Sequence, residues 1–319
     1  MTDLPPAERI AVGDFSLSVH QAGPEAGPAV MLVHGWPEIA YSWKRQIGPL
    51  ADAGYRVIAP DLKGFGASDA PTDKAHYDVR AMTGDLVGLL DALEIDRAVF
   101  VGHDWGGALV WPTAQLHPDR VAGVVGVCTP HRSPAVIEPV SILQKRYGDT
   151  HYIVQFQEEG AMEALFTGEE ERFFRTMFRR SGPRAVWEKL GPAIYDLPRW
   201  FKANLPADPK AMVMGDEDLA VYVDAYKRSG FHGGLNLYRN IDANWETLKA
   251  VPSTIERPAL WIGAADDPFL PLEWAVELDD LIPDLEKTLI EKCGHWMMWE
   301  RPAELNAALL DWLDRRFPT

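Results

Sequence analysis

The run Val99-Phe100-Val101-Gly102-His103-Asp104-Trp105-Gly106-Gly107 sets a carboxylate between a β-branched strand and a helix that reads from Ala108 onward. A sharp Gly-x-Asp-x-Gly turn in that setting holds its central side chain above a sheet, with helix N–H groups pointing at it. An aspartate there is ionised at neutral pH, so it can displace at a saturated, electrophilic carbon without a base and leave an alkyl ester. A serine would first need a base, and the chain contains no Gly-x-Ser-x-Gly. Taken alone, the stretch also reads as a plain glycine-rich connection between strand and helix. The partners of Asp104 therefore decide. Candidates are His295 in Cys293-Gly294-His295-Trp296, the Asp266-Asp267 pair, the His34-Gly35-Trp36-Pro37-Glu38 run, and the tyrosines Tyr152 and Tyr238.

The elements around these residues follow from hydrophobic periodicity. Glu8–Val12 and Phe15–His20 read as a hairpin around Gly13-Asp14, and Ala29–His34 and Tyr55–Ala59 as buried strands. Tyr77–Leu93 has helical spacing, with Val79, Met82, Leu86, Leu89, Leu90 and Leu93 on one face. Strand Ala98–Val101, helix Ala108–Leu116 and strand Val121–Cys128 continue a βαβ rhythm, which predicts a mostly parallel sheet covered on both sides. From His131 to about Arg239 strand-like runs give way to helical patches rich in Phe, Trp and Met, broken at Gly182-Pro183, Gly191-Pro192, Pro206 and Pro209. That stretch reads as an all-helical insertion. Strand Ala259–Gly263, helix Leu272–Leu281, strand Leu285–Ile290 and helix Ala303–Arg316 complete the chain. The expected division is a core of residues 1–130 and 240–319 with a cap of residues 131–239.

Composition narrows the function. The chain has 319 residues, 47% hydrophobic, and a net charge of −16, which repels nucleic acid and favours a small neutral substrate. No apolar run reaches the length of a membrane span, and Met1–Arg9 lacks the pattern of a signal peptide, so a cytoplasmic protein is expected. Cys128 and Cys293 lie far apart without metal-ligand spacing, and His20, His76, His117 and His232 form no metal pattern. Gly64-Phe65-Gly66 lacks the third glycine of a dinucleotide loop. Neither metal nor organic cofactor is expected. The aromatic run of Phe173, Phe174, Met177 and Phe178 is expected to pack inward and in part to line an apolar pocket.

Together these motifs resemble the α/β-hydrolase fold, and within it the soluble epoxide hydrolases, over essentially the whole chain. The order nucleophile, acid, histidine is present as Asp104, Asp267 and His295, with Asp266 the second choice for the acid. His34-Gly35-Trp36-Pro37 looks like the family's oxyanion loop. In that role the backbone N–H groups of Trp36 and Trp105 face the oxygen that becomes negative during ester hydrolysis. Tyr152 in Tyr152-Ile153-Val154-Gln155-Phe156-Gln157 and Tyr238 in Leu237-Tyr238-Arg239-Asn240 resemble the two ring-opening tyrosines, whose phenols suit protonation of an epoxide alkoxide. The resemblance also implies that His34, Pro37, Phe156 and Trp105 contact the substrate. Leu237 and Glu159 depart from the usual pattern and bear on pocket shape. The alternatives are a haloalkane dehalogenase with the same triad, which commonly carries Asn where Trp36 stands, and a catalytically silent binding protein. The implied partners are an apolar epoxide and water.

Overall fold

The computed structural model describes residues 4–204 and 208–319, so Pro206 and the first three residues lie outside the described part. Eight strands form one sheet: β1 (Ala7–Val12), β2 (Phe15–Ala22), β3 (Ala29–Val33), β4 (Arg56–Pro60), β5 (Ala98–His103), β6 (Val121–Val127), β7 (Ala259–Ala264) and β8 (Leu285–Ile290). Their order is β1-β2-β4-β3-β5-β6-β7-β8. The β1/β2 and β2/β4 pairs are antiparallel and all others are parallel. The central strands β3 and β5 are buried along their whole length, as expected for strands covered on both faces. Helices Val79–Ala92, Trp105–Leu116 and Pro302–Arg316 flank the sheet and bury their apolar faces in one continuous core.

Between β6 and β7 the chain runs through helices only, from Pro139–Tyr147 to Ile241–Leu248. The one strand-type pairing among its described residues is an isolated bridge, Arg179 with Met212. Phe173, Phe174 and Phe178 of helix Glu170–Met177 and its end are fully buried in an aromatic cluster with Tyr222, Tyr226 and Phe231. Only Met177 of that run reaches a cavity.

Two local expectations change. The helix after β5 begins at Trp105, three residues earlier than its composition suggests. Gly106 and Gly107 are poor helix formers, but a Cβ on Gly106 would stand 2.0 Å from the Val33 carbonyl oxygen, and one on Gly102 2.3 Å from the Gly106 carbonyl oxygen. Close approach of helix to sheet, not turn flexibility, requires glycine there. The expected helix Leu272–Leu281 is instead a 3-10 turn, Leu272–Ala275, and a short helix, Leu278–Leu281. Leu278 is its only fully buried residue, too small an apolar face to hold a continuous helix.

Candidate active site

Asp104 sits at the carboxyl end of β5 as the residue capping helix Trp105–Leu116, at φ +52° and ψ −118°. A non-glycine residue adopts this strained geometry only where its surroundings enforce it. The Thr129 hydroxyl donates to the Asp104 carbonyl at 2.8 Å and helps to hold the turn. One carboxylate oxygen, Oδ1, accepts the Trp36 N–H at 2.8 Å. Trp105, as the first helical residue, has a backbone N–H with no acceptor within its own helix.

The other oxygen, Oδ2, faces His295 Nε2 at 3.6 Å, an ion-pair separation rather than a hydrogen bond. On the far side of the ring, His295 Nδ1 lies 2.8 Å from Asp267 Oδ2. Asp267 Oδ1 accepts the N–H groups of Phe269 and Leu270 at 2.8 and 3.1 Å. Burial would raise the Asp267 pKa, but the facing imidazole and these donors bring it below the ordinary carboxylate value. Burial would lower the His295 pKa, yet Asp267 and Asp104 outweigh it and raise it well above that of a free histidine. Asp266 instead accepts the Arg184 N–H at 2.9 Å. Of the two adjacent carboxylates, Asp267 is the one hydrogen-bonded to the histidine.

Asp104, His295, Trp36, Tyr152 and Tyr238 open on one cavity of about 230 Å³. The two phenol rings meet edge to face, 5.7 Å between centroids. Burial first, and the Tyr152 and Asp104 charges second, push the Tyr238 pKa up, and burial with Asp104 does the same for Tyr152, so both phenols keep their protons. Much of the remaining wall is apolar, with Leu190, Ile194, Leu197 and Trp200 from the inserted helices and Phe269 from the core, while Arg179, Arg180 and Ser181 add a polar stretch.

His34, Pro37, Phe156 and Trp105, expected to meet a substrate, do not line this cavity. His34 is buried inside its loop, its Nδ1–H donating to the Gly35 carbonyl and its Nε2 accepting the Leu62 N–H. Phe156 is fully buried behind the phenols and packs on Trp36, Tyr152 and Tyr238. The Trp105 ring packs against Tyr238 and lines a separate cavity of about 440 Å³. Pro37 is buried and belongs to the loop's packing.

A pair with no expected role ties the site together. His103 and Glu38 are both fully buried, with Nδ1 2.7 Å from Oε2. The same Glu38 oxygen accepts the Gly35 N–H at 2.8 Å, and His103 Nε2–H donates to the His295 carbonyl at 2.8 Å. Burial would raise the Glu38 pKa, but facing His103 brings it below the ordinary value. The pair thus joins the loop holding Trp36, the turn holding Asp104 and the loop holding His295. Its only trace in the sequence is that the two polar residues stand within the motif runs, 65 positions apart. Among the described residues no group of three or more His, Cys, Asp or Glu is placed to share a metal ion. Cys128 and Cys293 are buried and free.

The chain is similar to known proteins over most of its length. A family model described as the alpha/beta hydrolase fold matches residues 28–302. The chain is 40% identical over 318 residues to epoxide hydrolase A of Mycobacterium tuberculosis, covering 97% of both. It is 37% identical to bifunctional epoxide hydrolase 2 of Rattus norvegicus over 90% of this chain, spanning about half (52%) of that longer protein. The crystal structure of epoxide hydrolase A from Mycobacterium thermoresistibile superposes with a TM-score of 0.87 at 37% identity, covering 97% of this chain and 98% of that one.

Proposed function

Since the chain belongs to the α/β-hydrolase family and, within it, to the epoxide hydrolases, we propose that it opens epoxides to vicinal diols through a covalent ester on Asp104. The observation that carries this reading is the placement of Asp104 between two kinds of proton handler. His295 lies beside its Oδ2, and the phenols of Tyr152 and Tyr238 line the same cavity.

Asp104 Oδ2 or Oδ1 attacks an epoxide carbon opposite the C–O bond that breaks. The phenols donate to the ring oxygen, and one proton passes to the alkoxide as it forms, giving a hydroxyalkyl ester. The phenol's high pKa suits it to this step, because an alkoxide is a far stronger base. In the second half, neutral His295 takes a proton from water while Asp267 stabilises the imidazolium. The hydroxide attacks the Asp104 carboxyl carbon, and the oxyanion is held by the N–H groups of Trp36 and Trp105. Collapse passes the remaining hydroxyl proton to the departing alkoxide, releasing the diol and regenerating the carboxylate, and the imidazolium's proton returns through solvent to the phenolate left by ring opening. The helical stretch of residues 131–239 is the cap of this reading, closing the site over a core of residues 1–130 and 240–319. Its apolar wall favours a neutral, apolar epoxide.

The test separates the two half-reactions. With styrene oxide, His295→Gln accumulates one substrate mass on the peptide containing Asp104, and Asp104→Ala shows none. Mass spectrometry that finds the adduct elsewhere overturns the assignment. Diol from styrene oxide without bromide from 1-bromobutane separates this reading from a dehalogenase.

A further inference from the structure

Tyr152 begins a helix of only four residues, Tyr152–Gln155, too short to hold its own geometry. Its first N–H groups need acceptors from outside. The His151 side chain supplies one: Nδ1 accepts the Ile153 N–H at 3.2 Å, a place more often taken by Ser, Thr, Asp or Asn. The His151 ring also stacks on the Tyr152 ring, 5.0 Å between centroids and 18° from parallel. Tyr147 and Tyr195 pack on the same imidazole at 5.2 and 5.1 Å. Tyr195 in turn donates its hydroxyl to the Pro268 carbonyl at 3.1 Å, in the turn next to Asp267. A continuous stack therefore runs from the acid's loop to the Tyr152 phenol.

Resting on the role proposed above for Tyr152, we infer that His151 is a positioning residue: its Nδ1 and its ring set the angle at which the Tyr152 phenol enters the cavity opposite Asp104. Burial lowers the His151 pKa to about 4, so at neutral pH the ring is uncharged and Nδ1 is free to accept. Tyr238 needs no such support. It stands on the eight-residue helix His232–Arg239, and its ring is wedged among Trp36, Trp105 and Phe156.

This asymmetry makes the inference testable by background dependence. The rate of ester formation with styrene oxide is followed by stopped-flow tryptophan fluorescence for His151→Leu in three backgrounds. We expect a loss of about tenfold in the parent and a larger one in Tyr238→Phe, where Tyr152 is the remaining donor, but less than about twofold in Tyr152→Phe, where the phenol it positions is already gone. His151→Asn, which keeps an acceptor for the Ile153 N–H, recovers part of the parent's rate and serves for the same comparison if His151→Leu fails to fold. Equal losses in all three backgrounds, or none in the parent, overturn the positioning role. If Tyr152→Phe alone leaves ester formation unchanged, the ring-opening role of Tyr152 falls and His151 falls with it. A slow Tyr152→Phe with equal losses from His151→Leu removes the positioning role alone.

Discussion

His295 faces two carboxylates at rest and, in the proposed mechanism, one after the first chemical step, because esterified Asp104 would carry no charge. In the free enzyme Asp267 and Asp104 together hold the imidazole pKa well above the ordinary value. Forming the ester removes the Asp104 contribution and leaves burial opposed by Asp267 alone, so the pKa falls and the neutral ring that accepts water's proton is easier to populate. Ester breakdown should therefore lose rate as pH falls through this lowered pKa, while the free enzyme's His295 titrates at higher pH. Single-turnover breakdown rates against pH, compared with an NMR titration of His295 in the resting protein, check the order of the two values. The reverse order contradicts the charge argument. The phenols give a second prediction. Either Tyr152→Phe or Tyr238→Phe leaves one donor to the epoxide oxygen and loses part of a general-acid contribution of about 10²–10⁴. The double change should cost more than the product of the two, since the pair acts on one atom. A doubly substituted enzyme that alkylates within about tenfold of the parent would make both tyrosines packing residues.

Among the elements, the junction of three loops at Glu38 and His103 sets the precision of the site. Glu38 accepts from Gly35 and faces His103, and His103 donates to the His295 carbonyl. Glu38→Ala strips a fully buried imidazole of its partner and should cost about 3 kcal/mol or more, because an uncompensated buried group is left behind. Glu38→Gln keeps an acceptor for Gly35 and His103 and should cost distinctly less. Urea unfolding of the two variants measures the difference. Equal costs below about 1 kcal/mol would reduce the pair to filler.

At the scale of the whole molecule, 47 acidic against 31 basic residues leave a self-repelling surface. Screening that repulsion should raise the melting temperature as salt goes from low to about 0.5 M, whereas kcat/KM for neutral styrene oxide should stay flat, since no charge steers it. A melting temperature that falls with sodium chloride would show that surface ion pairs such as Arg315 and Arg316 with Glu286 outweigh the net charge. The inserted helices meet the rest of the chain through further pairs of this kind, Lys44 with Asp218, Lys74 with Glu159 and Arg184 with Glu273. Each is partly or largely exposed and contributes little alone. No helix among the described residues is long and apolar enough to cross a membrane.

What could be read along the chain is what local pattern carries. Alternating apolar runs marked all eight strands to within a residue or two at each end, and the Gly-x-Asp-x-Gly turn marked Asp104 as the residue at the strand's end. The motif order brought His295 and the Asp266-Asp267 pair into consideration, because fold topology places successive strand ends on one edge of a parallel sheet. Tertiary structure decided the rest. Asp266 and Asp267 are alike in type and adjacent, and only the path of the turn hands the second to His295 and the first to Arg184. The glycines after Asp104 look like loop residues until Val33 is seen pressed against them. The buried Glu38–His103 pair spans 65 residues, and its link to His295 spans 192. The cavity wall of Leu190, Ile194, Leu197 and Trp200 is likewise chosen by how short helices lie across the core. Periodicity reports which face of an element is apolar. It does not report which apolar faces meet one another and which are left to enclose a substrate, because that depends on packing between residues remote in sequence.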